Sequence, residues 1–238
     1  MEQTTSANDR ALKQIFNKAI LSARRMEYRV NSRAAWLNGK VIPMDIIQAK
    51  ELLNEDLPFQ TTVDTADRII KGLGLNKNAM ILDVGTGAGN MAVTLALNGY
   101  RVITGEPEDD ESLYSKKDWA GKAEKLQVYH LITFRAFNAG NMPFENETFD
   151  AVFLFGCFHH MPEAVRSDAI SECRRVTTPS GVICIFEPTE AMVKYIRKSD
   201  PDHPDTADPG KYTTGMNVSI EIKNGDLFTG YILRKQQP

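Results

Sequence analysis

The chain is predicted to fold as an α/β protein: a doubly wound, mostly parallel, seven-stranded sheet, closed by an antiparallel C-terminal hairpin and preceded by an N-terminal helical extension. Three observations predict this. After Leu75, short apolar runs alternate with helix-spaced segments, the pattern of parallel strands joined by right-handed helical crossovers. One of those runs, Phe149–Phe155, is nearly continuous in apolar residues, as a strand buried on both faces must be. Near the end, Asn224-Gly225-Asp226 stands between two alternating runs, and an Asn-Gly turn in that setting signals a hairpin.

Taken in order, the elements begin with a helix from Asn8 to about Val30. Leu12, Ile15, Phe16, Ala19, Ile20, Ala23, Met26 and Val30 recur there at helical spacing, and Asn8 or Asp9 can cap the start. Asn38-Gly39 breaks the pattern. Pro43 then stands where a first helical residue would, Ile46, Ile47, Leu52 and Leu53 form the next buried stripe, and Leu57-Pro58 ends it. A third helix, about Val63 to Lys71, stops at Gly72 and Gly74. All three precede any strand, so residues 1–72 are expected to form an extension or lid and residues 73–238 the sheet domain.

Within that domain, Ala79–Val84 reads as the first strand, Asn90–Asn98 as a helix and Arg101–Thr104 as the second strand. Asp110–Gln127 reads as a helix weakened by Gly121, with Trp119, Ala123 and Leu126 as buried points, and His130–Phe137 as the third strand. Phe149–Phe155 is the fourth strand and Glu163–Val176 a helix. Pro179-Ser180-Gly181 turns into the fifth strand, Val182–Phe186. Asp200–Lys211, rich in Pro and Asp, reads as an irregular loop, and Val218–Lys223 with Phe228–Leu233 form the hairpin.

Composition narrows the function. The chain has 238 residues, 42% hydrophobic and 25% charged, which suits one substantial soluble core. A net charge of −3 gives no reason to expect nucleic acid, and the early basic residues (Arg10, Lys13, Lys18, Arg24, Arg25, Arg29, Arg33) read as the solvated face of a helix. Three cysteines, Cys157, Cys173 and Cys184, lack metal-ligand spacing and fit reduced thiols. No apolar run approaches the roughly 18–20 residues that cross a bilayer, and the polar N-terminus lacks a signal-peptide pattern. A cytoplasmic protein without a membrane partner is expected, and a homodimer is compatible with the chain.

The most informative stretch is Met80–Asn90: an apolar strand ending in an acid, a glycine-rich turn, then a helix. Glycine lets backbone N–H groups approach a ligand closely, and the helix N-terminus offers more of them. With Glu106 closing the second strand, the pair reads as the nucleoside-binding half of an α/β sheet.

Four segments in this order resemble the class I S-adenosylmethionine-dependent methyltransferases, of the type 11 small-molecule kind. "LDVGTGAGN" resembles the first motif of that family, and "VITGE" its acidic second-strand end. "FNAGNMPFENETFDAVFLFGCFHHM" resembles the third-strand end, fourth strand and following loop, and "ECRRVTTPSGVICIFEP" the helix, turn and fifth strand beyond. The resemblance runs from about Leu73 to Leu233 and implies a Rossmann-like sheet, S-adenosyl-L-methionine as cofactor, and in-line displacement of its methyl group by a small-molecule acceptor.

The resemblance also implies roles by position. Asp83 lies near the cofactor's ammonium end, or alternatively caps the helix or bonds the loop; Gly85, Thr86, Gly87 and Gly89 form the turn against its methionine and ribose portions; Glu106 binds both ribose hydroxyls. Asn138 stands where the family commonly has Asp, so an amide oxygen accepts from the adenine amino group without the charge, while the Ala139 N–H meets a ring nitrogen. Phe155 faces the sulfonium, or alternatively belongs to the core. His159 is the candidate catalytic base, against the alternative of a histidine bonded to its own loop; His160 reads as the latter. Cys157 reads as a small hydrophobe. His130 and His203 belong to no constellation. No metal site is expected: Asp200, Asp202, His203, Asp205 and Asp208 are interrupted by Pro201 and Pro204 and read as a flexible acidic loop. Arg24, Arg25, Tyr28 and Arg33 are placed to meet an anionic or aromatic acceptor under a lid.

Two other readings stay open. An NAD-dependent oxidoreductase also needs a glycine turn and a second-strand acid, but its third glycine belongs at position 90, where Asn90 stands. A non-catalytic module of the same fold would bind the cofactor without turnover.

Overall fold

The computed structural model describes residues 44–110, 112 and 114–236, together with Trp36–Leu37 and Lys40–Val41, which pair antiparallel. The expected helix Asn8–Val30, the Asn38-Gly39 break, Pro43 and the acceptor-facing Arg24, Arg25, Tyr28 and Arg33 lie outside the described residues.

Seven strands form one sheet: β1 (Ile81–Val84), β2 (Val102–Gly105), β3 (Ile132–Phe134), β4 (Phe149–Phe155), β5 (Thr177–Pro188), β6 (Val218–Asn224) and β7 (Phe228–Lys235). Their order is β3-β2-β1-β4-β5-β7-β6. β1 to β5 run parallel, with Ile81 opposite both Val102 and Ala151, while β7 runs antiparallel between β5 and β6. The expected parallel sheet closed by a hairpin is thus present. Alternation along β4 explains why it carries so little polarity: Ala151 and Phe153 enter one core and Val152 and Leu154 the other, all fully buried. Burying the apolar side chains of β4 on both faces is a main favourable contribution to this arrangement.

Among the described residues, two helices precede the sheet. α1 (Ile46–Leu52) starts with a capping box between Asp45 and Gln48. α2 spans Leu57–Leu73, so Leu57-Pro58 opens a helix, and the expected start at Val63 is six residues late. Proline fits the first turn because its missing N–H would have had no helical partner there. Asp56 caps α2 by accepting the Phe59 N–H at 3.0 Å. The remaining helices are α3 (Asn90–Leu97), α4 (Trp119–Lys125), α5 (Glu163–Val176) and α6 (Glu190–Ile196).

The expected helix Asp110–Gln127 is reduced to α4. Asp118 accepts the Gly121 N–H at 2.8 Å and starts the helix there, while Ser115 bonds the Asp110 carbonyl at 2.7 Å and holds the preceding residues in turns. The third strand is likewise three residues long, entered through a 3₁₀ turn at Tyr129–Leu131. Phe137, expected at its end, turns inward instead and packs edge-on against Phe144, centroids 5.3 Å apart. α6, capped by Thr189, follows β5 directly. Among the described residues, no helix is long and apolar enough to cross a membrane.

Candidate functional site

β1 ends at Val84 and the chain turns sharply through Gly85 (φ 85°), Gly87 (φ 47°) and Gly89 (φ 74°) before α3 begins. Left-handed backbone of this kind is strained for any side chain. The three glycines do different work. A Cβ on Gly85 would stand 2.8 Å from Cys157 Cβ, and one on Gly89 would stand 2.7 Å from Trp119 Cβ, so both let neighbouring segments pack close. A Cβ on Gly87 would meet only Tyr114 Cβ, at 3.9 Å, so this glycine keeps open the space above the turn.

Glu106, just beyond β2, accepts the Gly87 N–H on Oε2 at 3.1 Å. Burial raises its carboxyl above the usual range, the Gly87 N–H opposes this and Asp110 adds to it. Beneath the turn lies a chain of hydroxyls. Thr86 and Thr104 share a hydrogen bond of 2.9 Å, and Thr104 donates to Asp83 Oδ2 at 2.9 Å. Asp83 is wholly buried; that burial pushes its carboxyl up to about 7, against the Thr104 bond and with help from Glu106.

Above the turn is a cavity of about 810 Å³, within the usual range of small-molecule sites, roughly 300–1,000 Å³. Gly85, Thr86, Gly87, Glu106, Asn138, Ala139, Phe155 and His159 all line it. Asp83 and Gly89 do not: the first supports the turn from below and the second seats Trp119. Asn138 Oδ1 accepts the Gly140 N–H at 2.8 Å, so part of its accepting capacity holds its own loop. Phe155 is both wall and core, with Phe228 4.8 Å and Phe186 5.6 Å from its ring centre. Cys157 donates its Sγ–H to the Val84 carbonyl at 3.0 Å, and burial pushes the thiol well up, which removes it as a nucleophile at neutral pH.

Several lining residues were not assigned in the sequence. α2 supplies Leu57, Pro58, Thr61 and Thr62, and α6 supplies Met192 and Ile196. His203, from the loop expected to be flexible and acidic, is only 3% exposed and packs 5.1 Å from the His159 ring. His160 lies 4.2 Å from His159 and 5.0 Å from His203, centre to centre. His160 is open to solvent on one side, yet desolvation of its inner side, with the two neighbouring imidazoles, pushes it down to about 3, and burial lowers His203 as well. Glu187, buried near the end of β5, accepts from His159 Nδ1 at 3.0 Å and from the Ala207 N–H at 3.2 Å on the same oxygen. The sequence hint for Glu187 was an acid at the C-terminal end of a buried strand. For His203 there was none, because its partners come from a distant loop.

Comparison with known proteins agrees with this geometry. Residues 82–185 match the family profile described as a methyltransferase domain. A 27-O-demethylrifamycin SV methyltransferase of Amycolatopsis mediterranei is 28% identical over 126 residues, 53% of this chain and 44% of the relative. A demethylmenaquinone methyltransferase of Staphylococcus aureus is 25% identical over 156 residues, 65% of this chain and 61% of the relative. The matched part therefore spans less than two thirds of either. Among solved structures, a Pyrococcus horikoshii protein superposes with TM-score 0.60 at 16% identity, over 75% of this chain and 92% of its own. A SAM-dependent methyltransferase from Aquifex aeolicus does so with TM-score 0.55 at 18% identity, over 78% and 97%. These likenesses establish the fold.

Proposed function

We propose that this chain, whose residues 82–185 match the methyltransferase domain profile, is a class I S-adenosylmethionine-dependent methyltransferase of type 11 that transfers a methyl group from S-adenosyl-L-methionine to a small-molecule acceptor by in-line displacement. One observation carries the reading: the glycine turn and the Glu106 carboxylate, joined at 3.1 Å, form the wall of a single cavity of suitable size. The named relatives act on small molecules by their descriptions, which supports the acceptor class.

The donor set fits the cofactor. Glu106 has lone pairs beyond the one that takes the Gly87 N–H, and a carboxylate suits a pair of ribose hydroxyls. Asn138 and Ala139 line the same cavity and offer an amide oxygen and a backbone N–H for the adenine. The side-chain space left open at Gly87 would let the main chain come close to a bound cofactor. When bound, S-adenosyl-L-methionine supplies an electrophilic methyl on a sulfonium centre. Phe155, in the wall of the same cavity, would exclude water from that centre and offer a ring face that favours positive charge. His159, held by Glu187 through Nδ1, keeps Nε2 free to receive a proton from the acceptor. Positioning is expected to contribute more than proton transfer, since aligning nucleophile and methyl removes most of the entropic barrier.

Calorimetry with S-adenosylhomocysteine tests the reading. Glu106→Ala should weaken binding by about 1–3 kcal/mol, through loss of the charged acceptor. An unchanged affinity would remove Glu106 from the site and leave the cavity without its anchor.

A further inference from the structure

We propose that His159, His160 and His203 form a three-imidazole site for a borderline divalent transition-metal ion of the Zn²⁺ class, its remaining coordination positions left to the cavity. One ligand nitrogen from each ring lies within 4.8 Å of the other two. All three residues line the same cavity as the glycine turn.

The hydrogen bonds decide which nitrogens are available. A carbonyl oxygen can only accept, so the 3.0 Å contact between His203 Nδ1 and the Pro204 carbonyl places the proton on Nδ1 and leaves a bare lone pair on Nε2. His159 donates from Nδ1 to the Glu187 carboxylate in the same way. Its Nε2 is buried and has no hydrogen-bond partner, an uncommon state for a polar atom inside a folded protein. A cation at that nitrogen supplies the missing partner, and with the ion bound His159 is a ligand and no longer a proton acceptor.

Glu187 points to the same conclusion from the other side. It is wholly buried, and its Oε1 also lacks a partner. A carboxylate behind a ligating imidazole is the usual outer support of a histidine–metal bond: it sets the tautomer and makes the ring a better donor. It also places negative charge where a dication would offset the cost of burying it. Neutral imidazole nitrogens select Zn²⁺, Co²⁺, Ni²⁺ or Cu²⁺ over Mg²⁺ and Ca²⁺, which require oxygen ligands. Bonds of about 2.1 Å in a tetrahedral set place the nitrogens roughly 3.4 Å from one another, inside the 4.8 Å that bounds their present separation, so any pair near that bound must draw together. His160, exposed, bonded through its backbone N–H to the Cys157 carbonyl and with the Tyr114 ring 5.2 Å away, is the ligand with the most freedom to move. With three protein ligands the ion keeps a place for an oxygen or nitrogen of a bound molecule. That this molecule is the methyl acceptor rests on the proposed function; the cation site itself does not.

The test uses the full chain, untagged and stripped with a chelator, titrated with Zn²⁺ in the calorimeter and with Co²⁺ by visible absorption. One equivalent of Zn²⁺ should bind saturably, and Co²⁺ should show the d–d bands of a low-coordinate nitrogen set. His160→Ala and His203→Ala should each weaken Zn²⁺ binding at least about tenfold; His160 is exposed, so its variant should retain the wild-type circular dichroism. Absence of saturable Zn²⁺ binding, or wild-type affinity in either variant, overturns the site. S-adenosylhomocysteine affinity of the stripped chain is read in parallel. Zn²⁺ binding without it would leave this site standing and remove the proposed function, and the converse result would do the opposite.

Discussion

Asp83 illustrates how an acid beside the glycine turn can act without touching the cavity. Its carboxyl receives the Thr104 hydroxyl, which is bonded in turn to Thr86 of the turn, so it fixes the glycine segment from beneath. Burial raises its pKa to about 7 from an unfolded value near 3.8. The sign of the linkage follows: between those values the folded chain binds the proton and the unfolded chain does not, so stability falls as pH rises through the window and is level above it. The single-group effect amounts to as much as about 4 kcal/mol. Urea melts at pH 5 and pH 8 should show wild type losing stability across that interval, with the slope reduced in Asp83→Asn. Equal slopes would show that Asp83 is ionised in the folded state. Gly87 makes the complementary case above the turn. Gly87→Val places a branched side chain at φ 47° in the open space over the turn, and binding of S-adenosylhomocysteine by calorimetry should be lost while the far-ultraviolet spectrum is kept. The turn and Glu106 were legible in the sequence because their spacing is local to two strand ends. His203 and Glu187 were not, since each acquires its meaning from a contact with His159 made across the fold.

At the scale of elements, the two helix corrections share one physical cause. Short polar side chains at Asp56 and Asp118 capture N–H groups three residues on, and these local bonds set where α2 and α4 begin more firmly than apolar spacing does. Asp56 also pairs with Lys122 of α4 at 2.8 Å, and Lys122 reaches Asn90 of α3 at 2.6 Å, so one acid ties three helices together beside the cavity. Burial lowers the Lys122 pKa, a measure of what its partners must offset. Asp56→Ala removes both cap and ion pair and should cost about 1–3 kcal/mol in urea unfolding, whereas Asp56→Asn should recover the cap portion alone. Equal losses in the two variants would assign the whole effect to charge. The hairpin, by contrast, was readable in advance: β6 and β7 pair from Val218↔Lys235 to Asn224↔Thr229 around Asn224-Gly225-Asp226, a turn whose chemistry needs no distant partner.

For the whole molecule, the strand order reverses between β1 and β4, and the crevice beyond their C-terminal ends is where the cavity lies. A sheet of this kind can serve nucleosides of several sorts, so ligand choice is a property of the assembled wall. S-adenosylhomocysteine at about a hundredfold over its Kd should stabilise the chain by about 2.7 kcal/mol, a rise in Tm of several degrees, while NAD should leave Tm unchanged. The reverse result would favour the oxidoreductase reading. Periodicity, turn chemistry and the order of four motifs were enough, taken alone, to determine the α/β class, the seven strands and the glycine–glutamate pair. Each of these depends on residues near one another in the chain, where backbone geometry leaves little choice. The grouping of three imidazoles over one buried carboxylate, and the retreat of Asp83 beneath the turn, were decided only by tertiary structure. They arise where segments far apart in sequence are packed together, and burial there changes what an acid or an imidazole can do.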